Sequence, residues 1–242
     1  MVLLNYPTNK MRNYLPLLFV LIQIKAGSQT NNFSFPKIAE TGASIASFIP
    51  RGWHIRDSVS GDLNKDGLKD FVAVIESDIP HQVTDKLRDT FFPFYPKMLL
   101  VFFRQPKNSF ILSATAVKLF QNCNWGVAGQ DPFEKLFLRK GTFGISFYTG
   151  GFIRDHLSYI FRYQNSIWYL IGLDRYQFWI ADESEGTTYA CYNFATQLKE
   201  NYFLTKAGKR TDFRRSRLPQ KQLTQLVDLD EDWYYSLGDE GE

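Results

Sequence analysis

A short stretch of the chain, SGDLNKDGLKDFVAVIE from Ser60 to Glu76, places oxygen-bearing side chains at alternating positions just before an apolar run. Calcium takes six to eight oxygen ligands at about 2.3–2.6 Å. Side chains at positions 1, 3, 5 and 9 of a tight loop can converge on one ion, the carbonyl of position 7 can join them, and Gly67 at position 6 permits the sharp turn. The predicted calcium ligands are Asp62, Asn64, Asp66, Asp70 and the backbone carbonyl of Leu68.

This loop is not a complete EF-hand, because Ala73 stands where an EF-hand has its bidentate Glu and a strand-forming run follows instead of a helix. Three carboxylates this close repel one another, and a bound ion reverses that repulsion. The alternative is a solvated turn, since Asp, Asn and Gly favour turns without any metal. We expect an ion with a structural role rather than a catalytic one.

The spacing of the loop resembles the calcium loop of FG-GAP and VCBS-type extracellular repeats, which is written GDxNxDGxxD and precedes an apolar strand. Asp62, Asn64, Asp66 and Asp70 match that pattern, and the resemblance covers about Asp57 to Phe103. It implies a calcium-stabilised β structure. Such repeats usually build β-propeller blades, but this chain has a single copy and a propeller needs several.

The rest of the chain is more loosely similar to secreted bacterial proteins that have one such loop, a β-rich C-terminal half and no assigned activity. The segments that carry this likeness are DPFEKLFLRKGTFGISFYTGG and YIFRYQNSIWYLIGLD. It implies a compartment and a fold class but no reaction.

The N-terminus has the pattern of a secretion signal. Met11-Arg12-Asn13 is a short basic start, Leu15 to Ile24 is an apolar stretch of h-region length, and Ala26-Gly27-Ser28 supplies small residues. We predict a signal peptide over residues 1–28, cleavage before Gln29, and export to the periplasm or the extracellular space. The alternatives are a buried N-terminal helix or a retained anchor. No transmembrane segment is expected after signal removal.

The net charge of the predicted mature chain is too small to attract nucleic acid or an anionic membrane by long-range electrostatics. The chain has 28 basic and 25 acidic residues, for a formal charge of +3. The predicted signal holds three basic residues, Lys10, Arg12 and Lys25, and no acid, so 25 basic residues face 25 acidic ones in the mature chain. We therefore expect no nucleic-acid partner. The basic segment Lys206 to Arg217 is interpreted as a solvated linker balanced by the acidic tail.

Several residues outside the Asp62 loop could carry chemistry, although none forms a known catalytic motif. The stretch YTGGFIRDH, Tyr148 to His156, is either a ligand-binding or catalytic loop or a hairpin turn with solvated side chains. Trp125 could stack on a sugar or cover a core edge. Candidate carboxylates for glycoside cleavage are Asp174, Asp182, Glu183 and Glu185. Asp228, Asp230 and Asp232 are interpreted as an exposed acidic end.

The cysteine and histidine content leaves one question open. Cys123 and Cys191 could form one disulfide in an oxidising compartment or remain two thiols. We expect no structural zinc site, because the chain has only two distant cysteines and three histidines, His54, His81 and His156.

The apolar pattern predicts a mainly β protein of antiparallel sheets or a meander, sandwich-like or partial propeller-like, with few short helices. Aromatic residues, which favour strands, make up 17% of the chain. FVAVIE suits a buried strand, and the alternation at Tyr159 to Tyr163 indicates a strand with one face on a core. Ile79 to Pro96 is predicted to be an insertion or a long loop, with a helical turn at Val83 to Asp89. The expected regions are 29–120 with the calcium loop, 121–205 as the meander, and 206–242 as a charged C-terminal segment.

These observations favour an exported protein with one structural calcium site and a non-catalytic binding or envelope role. Its expected ligand is an unidentified protein or carbohydrate. The alternative is a secreted hydrolase acting on carbohydrate, with its site in the Trp125 or Arg154 loop.

Overall fold

A computed structural model describes residues 33–85, 90–120, 127, 130–180, 186–219, 221–230 and 233, without the side chains of 82–85 and 90–92. The predicted signal peptide lies outside these residues. The strands are β1 (Thr41–Gly42), β2 (Trp53–Gly61), β3 (Asp70–Ser77), β4 (His81–Asp85), β5 (Thr90–Phe94), β6 (Lys97–Gln105), β7 (Ser109–Ala116), β8 (Phe133–Arg139), β9 (Thr142–Gly150), β10 (Ile153–Gln164), β11 (Ile167–Trp179), β12 (Thr187–Asn193), β13 (Leu198–Leu204) and β14 (Arg210–Arg217). Short 3-10 helices span Ile45–Phe48, Pro106–Asn108, Lys118–Phe120 and Leu226–Asp228.

The strands form two main antiparallel sheets, so the predicted mainly β class is confirmed. The first sheet has the order β1-β7-β6-β3-β2, and the second has the order β14-β13-β12-β11-β10-β9-β8. The second sheet is a meander, because each strand pairs with the next one along the chain. A separate hairpin joins β4 and β5.

The two sheets share one hydrophobic core, as in a sandwich. Val72 and Val74 of β3 lie in the same buried cluster as Phe143 of β9 and Phe161 of β10. The 3-10 helix at Leu226–Asp228 adds to this cluster through Leu226. Side chains alternate across a strand, so the other face of β3 must be covered separately.

A second cluster covers that other face of the first sheet. Ala73 and Ile75 of β3 pack there with Ile38 and Phe48 from the segment that precedes β2. Both faces of β3 are therefore buried, which explains why FVAVI is a continuous apolar run without alternation.

Two local expectations differ from the structure. Within Ile79 to Pro96, residues 81–85 and 90–94 form the β4–β5 hairpin instead of a loop, and residues 86–89 of the predicted helical turn lie outside the described residues. Pro93 is compatible with this two-stranded ribbon because proline is tolerated in strands that lack a neighbour on one side. Lys206 to Arg217 is not a linker, because residues 210–217 form β14 and pair with β13. β13 itself was not predicted.

No helix in the described part of the chain has the length and apolar character needed to cross a bilayer.

Candidate functional site

The Asp62 loop connects the end of β2 to the start of β3, at one end of the first sheet. Two residues in it have left-handed backbone conformations, Lys65 with φ of 68° and Gly67 with φ of 83°. The Asp62 carboxylate accepts the Lys65 N–H at 2.7 Å through one oxygen and the Gly67 N–H at 3.1 Å through the other. Asp62, the first predicted ligand, therefore stabilises the turn through hydrogen bonds to the backbone of residues 65 and 67.

Asn64 and Asp66 also accept backbone N–H groups, each from the residue two positions later in the chain. The Asn64 Oδ1 accepts the Asp66 N–H at 3.1 Å, and the Asp66 Oδ1 accepts the Leu68 N–H at 2.7 Å. The Asn64 Nδ2 also donates to the Asp66 Oδ2 at 2.9 Å. These are the side-chain-to-backbone bonds by which Asp and Asn stabilise turns.

Asp70 has a different environment from the other acids of the loop, since its side chain is fully buried. Its Oδ2 accepts the N–H groups of Leu63 at 2.8 Å and Asn64 at 3.3 Å, and its Oδ1 accepts the N–H of Arg104 at 3.1 Å. Burial raises the pKa of the Asp70 carboxyl, the Asp66 charge adds to the rise, and the three backbone hydrogen bonds oppose it. Asp70 thus joins the loop to β6.

The donor set can be tested against the needs of calcium by counting lone pairs. A carboxylate offers about four acceptor positions and an amide oxygen two. The bonds above leave acceptor positions on Asp62, Asn64 and Asp66, whereas the Asp70 Oδ2 has both of its positions filled. Within the described residues, no three Asp, Glu, His or Cys side chains are grouped so as to hold a metal. A calcium ion here would need the Asn64 amide and the Leu68 carbonyl as well.

The YTGGFIRDH stretch forms the connection between β9 and β10, and its polar side chains are engaged in structural contacts. Arg154 donates to the Gly150 carbonyl at 3.0 Å. The Asp155 carboxylate accepts a bifurcated bond from the Arg175 Nε–H, at 3.0 and 2.9 Å, a second bond from the Arg175 Nη2 at 2.5 Å, and one from Gln177 at 3.2 Å. The backbone of this stretch is the hairpin turn of the second interpretation. Its polar side chains are paired with protein groups rather than solvated.

His156 lies in a row of rings on the outer face of the second sheet, a feature that sequence reasoning missed. The row consists of the cross-strand partners Tyr148, His156, Tyr176, Tyr189 and Tyr202, one from each of β9 to β13. Neighbouring ring centroids lie 4.2, 4.2, 5.6 and 4.9 Å apart, with interplanar angles of at most 31°. We call this set the ring row.

The ring row directs edges, rather than faces, towards solvent. Each inner ring faces its neighbours, and the Arg210 guanidinium lies 4.5 Å from the outer ring, Tyr202. Sugar stacking needs an open aromatic face, so the ring row is poorly suited to it.

Burial lowers the pKa of His156, against the opposing effect of Glu134, and burial raises the pKa of Tyr176 to about 12. The signal in the sequence was an aromatic residue at the same register on successive strands, visible only once the pairing is known.

A buried lysine was missed as well. The Lys97 side chain is 2% exposed, and its Nζ lies 2.9 Å from Glu76 and 2.7 Å from Asp131. It also donates to the Tyr95 carbonyl at 3.2 Å. This ion cluster joins the start of β6 to β3 and to the segment before β8.

The remaining predicted site residues are divided between described and undescribed parts of the chain. Cys123, Trp125, Asp182, Glu183, Glu185 and Asp232 lie outside the described residues. Cys191 has a free thiol, and burial, followed by the charge of Asp174, raises its pKa to about 11. The Asp174 carboxylate pairs with Arg139 at 2.7 Å. Asp228 and Asp230 are exposed.

Comparison of the chain with protein-family models, with curated proteins and with solved structures gives no match. The functional argument therefore depends on the residues and their geometry.

Proposed function

We propose that this chain is an exported, non-catalytic binding protein in which a calcium ion at the Asp62 loop stabilises the first sheet. The ion would be held by Asp62, Asn64, Asp66 and the Leu68 carbonyl, with Asp70 supplying its remaining acceptor position. Export to the periplasm or extracellular space, where calcium is available, follows from the signal-like N-terminus. The ligand class that the sequence favours is a protein or a carbohydrate.

The observation that carries this proposal is the fixed array of oxygens in the loop. Backbone bonds hold the side chains of Asp62, Asn64 and Asp66 in place before any ion binds. Such preorganisation reduces the entropy cost of binding. Because Asp70 ties the loop to β3 and β6, an ion in the loop would stabilise the sheet rather than perform a reaction.

The test compares thermal unfolding of the mature chain in calcium and in chelator. A ligand that binds only the folded state stabilises it by about 2.7 kcal/mol at one hundred times its dissociation constant. The informative variant is Asp66→Asn, which keeps an oxygen for the Leu68 N–H but removes the charge and the exposed bond from the Asn64 Nδ2. We expect it to unfold in chelator within about 1 kcal/mol of the wild type and to lose most of the calcium effect.

Asp228→Asn is the matched control, since it makes the same change at an exposed aspartate outside the loop and should keep the full calcium effect. Equal unfolding curves for the wild type in chelator and in millimolar calcium would contradict the ion site and leave only a turn.

Export is tested by a separate measurement. The N-terminal residue of the chain secreted from a bacterial host should be Gln29, and retention of the intact chain in the cytoplasm would contradict it.

A further inference from the structure

The second sheet is wider than the core that covers it. Strands β12, β13 and β14 contain no fully buried residue, in contrast to β9, β10 and β11. The chain after β14 returns towards β11 instead. The Leu218 N–H donates to the Gln197 carbonyl at 2.9 Å, and the Leu170 N–H donates to the Thr224 carbonyl at 2.9 Å. This returning segment, residues 218–219 and 221–230, encloses space between itself and the sheet.

The enclosed space is a cavity of about 170 Å³. One cross-strand row supplies part of its lining, since Tyr192 pairs with Lys199 and Lys199 pairs with Ser216. The same row continues into the core, because Tyr192 also pairs with the buried Leu173. Leu218, Leu223 and Trp233 line the cavity as well. The lining therefore combines aromatic and aliphatic surface with a cationic group.

The charged side chains among the described lining residues have a single sign. Lys199, Arg217 and Lys221 line the cavity, and none of the described lining residues is acidic. The Lys199 Nζ lies 5.1 Å from the Tyr192 ring centroid, which places a cation beside the apolar surface. A ligand with a negative head and an apolar body would complement both parts of the site.

We propose that this cavity binds a small organic anion with an apolar body, such as a medium-chain carboxylate. Lys199 would pair with the anionic head, since it lies in the same cross-strand row as Tyr192 and Ser216, while Tyr192, Leu218 and Trp233 would contact the body. A cavity of about 150 Å³ accepts benzene, so a volume of about 170 Å³ suits a single ring or a chain of comparable size. This inference rests on the proposed binding role, gives that role a site, and assigns it a small amphipathic anion in place of the protein or carbohydrate expected from the sequence.

The experiment is calorimetric titration of the mature full chain with octanoate, with octanol and acetate as matched probes. Octanol keeps the apolar body without the charge, and acetate keeps the charge without the body. We expect saturable binding of octanoate at one site. Octanol should bind roughly tenfold more weakly, because a charge-assisted contact of about 1.4 kcal/mol equals a factor of ten. Acetate should also bind at least roughly tenfold more weakly, because it has no apolar chain to bury. Octanoate that binds no more tightly than octanol would overturn the proposal.

Variants then locate the site. Lys199→Gln should weaken octanoate binding roughly tenfold, because it removes the cation that would pair with the carboxylate. Arg214→Gln is the matched control, as it lies on the neighbouring strand, is exposed and does not line the cavity. Urea midpoints confirm that both variants fold. Unchanged octanoate affinity in Lys199→Gln would refute this location.

Performing every titration both in calcium and in chelator separates the two proposals. The Asp62 loop supplies no lining residue to the cavity. Octanoate binding without a calcium effect on unfolding would therefore overturn the ion site alone, and a calcium effect without octanoate binding would overturn the cavity alone.

Discussion

Replacement of Asp70 tests whether a buried carboxylate, rather than the exposed turn chemistry, fixes the loop to the first sheet. Asp70→Ala removes the acceptor of three backbone N–H groups, those of Leu63, Asn64 and Arg104. Leu63 is 2% exposed, so its N–H loses a partner in a site with little access to water. The other two bonds are partly buried. An unsatisfied buried donor costs about 1–3 kcal/mol, and we expect a total loss of roughly 3–5 kcal/mol for the three.

Asp70→Asn should have a smaller effect than Asp70→Ala. Its single oxygen can still accept the two bonds from Leu63 and Asn64, but its NH₂ group then faces the Arg104 N–H, so about 1–3 kcal/mol is lost. Asp228→Ala, at an exposed site, should change stability by less than about 0.5 kcal/mol.

The assay is urea unfolding in chelator, which removes any contribution from calcium, and the measured quantity is the free energy of unfolding. For a domain of this size, 1 kcal/mol shifts the melting temperature by about 2–4 °C, so Asp70→Ala should be evident in a thermal scan too. A loss below about 1 kcal/mol for Asp70→Ala, or equal losses for Ala and Asn, would refute the assignment of Asp70 as the anchor of the loop.

Two further predictions concern other buried charges and rings. Lys97→Met should cost about 3 kcal/mol in urea unfolding, because it leaves the carboxylates of Glu76 and Asp131 without their buried partner; Lys135→Met, at an exposed pair, should cost less than about 0.5 kcal/mol, and equal costs would contradict this. The pKa of His156 is lowered in the folded state, so the unfolded chain binds a proton at this ring more readily and stability should fall as the pH falls below about 6.5. His156→Phe keeps a ring in the row and should reduce that fall between pH 7 and pH 5, whereas an unchanged slope would count against the assignment.

The parts of the fold that could be predicted from the sequence are those in which burial shapes the pattern. FVAVI was predicted as a buried strand because both faces of β3 are covered, and the alternation at Tyr159 to Tyr163 was predicted because β10 has one face on the core. β14, with the sequence RTDFRRSR, lies at the edge of the second sheet and most of its residues are exposed. Backbone pairing with β13 holds it in place, and pairing leaves little trace in composition.

The candidate site was predictable to a similar degree. The acids of the Asp62 loop are recognisable because their spacing is local. The separate role of Asp70 was not, because it depends on the Arg104 N–H, which a distant strand supplies. Lys97 was missed for the same reason, since its partner Asp131 lies before β8. Contacts between residues far apart in sequence determine which charges are buried, and no local pattern records them.

The arrangement of covered and uncovered faces limits where a ligand can bind in the described part of the chain. Strand β3 of the first sheet is buried on both faces, by the second sheet and by the segment before β2. On the outer face of the second sheet, the ring row stacks against itself and presents only edges. The inner face of β12 to β14 differs, because the returning segment leaves a lined cavity there. A calcium ion in the Asp62 loop would then stabilise the first sheet, whereas the cavity on the second sheet would bind the ligand. Calcium-dependent stability and ligand binding should therefore be independent of each other.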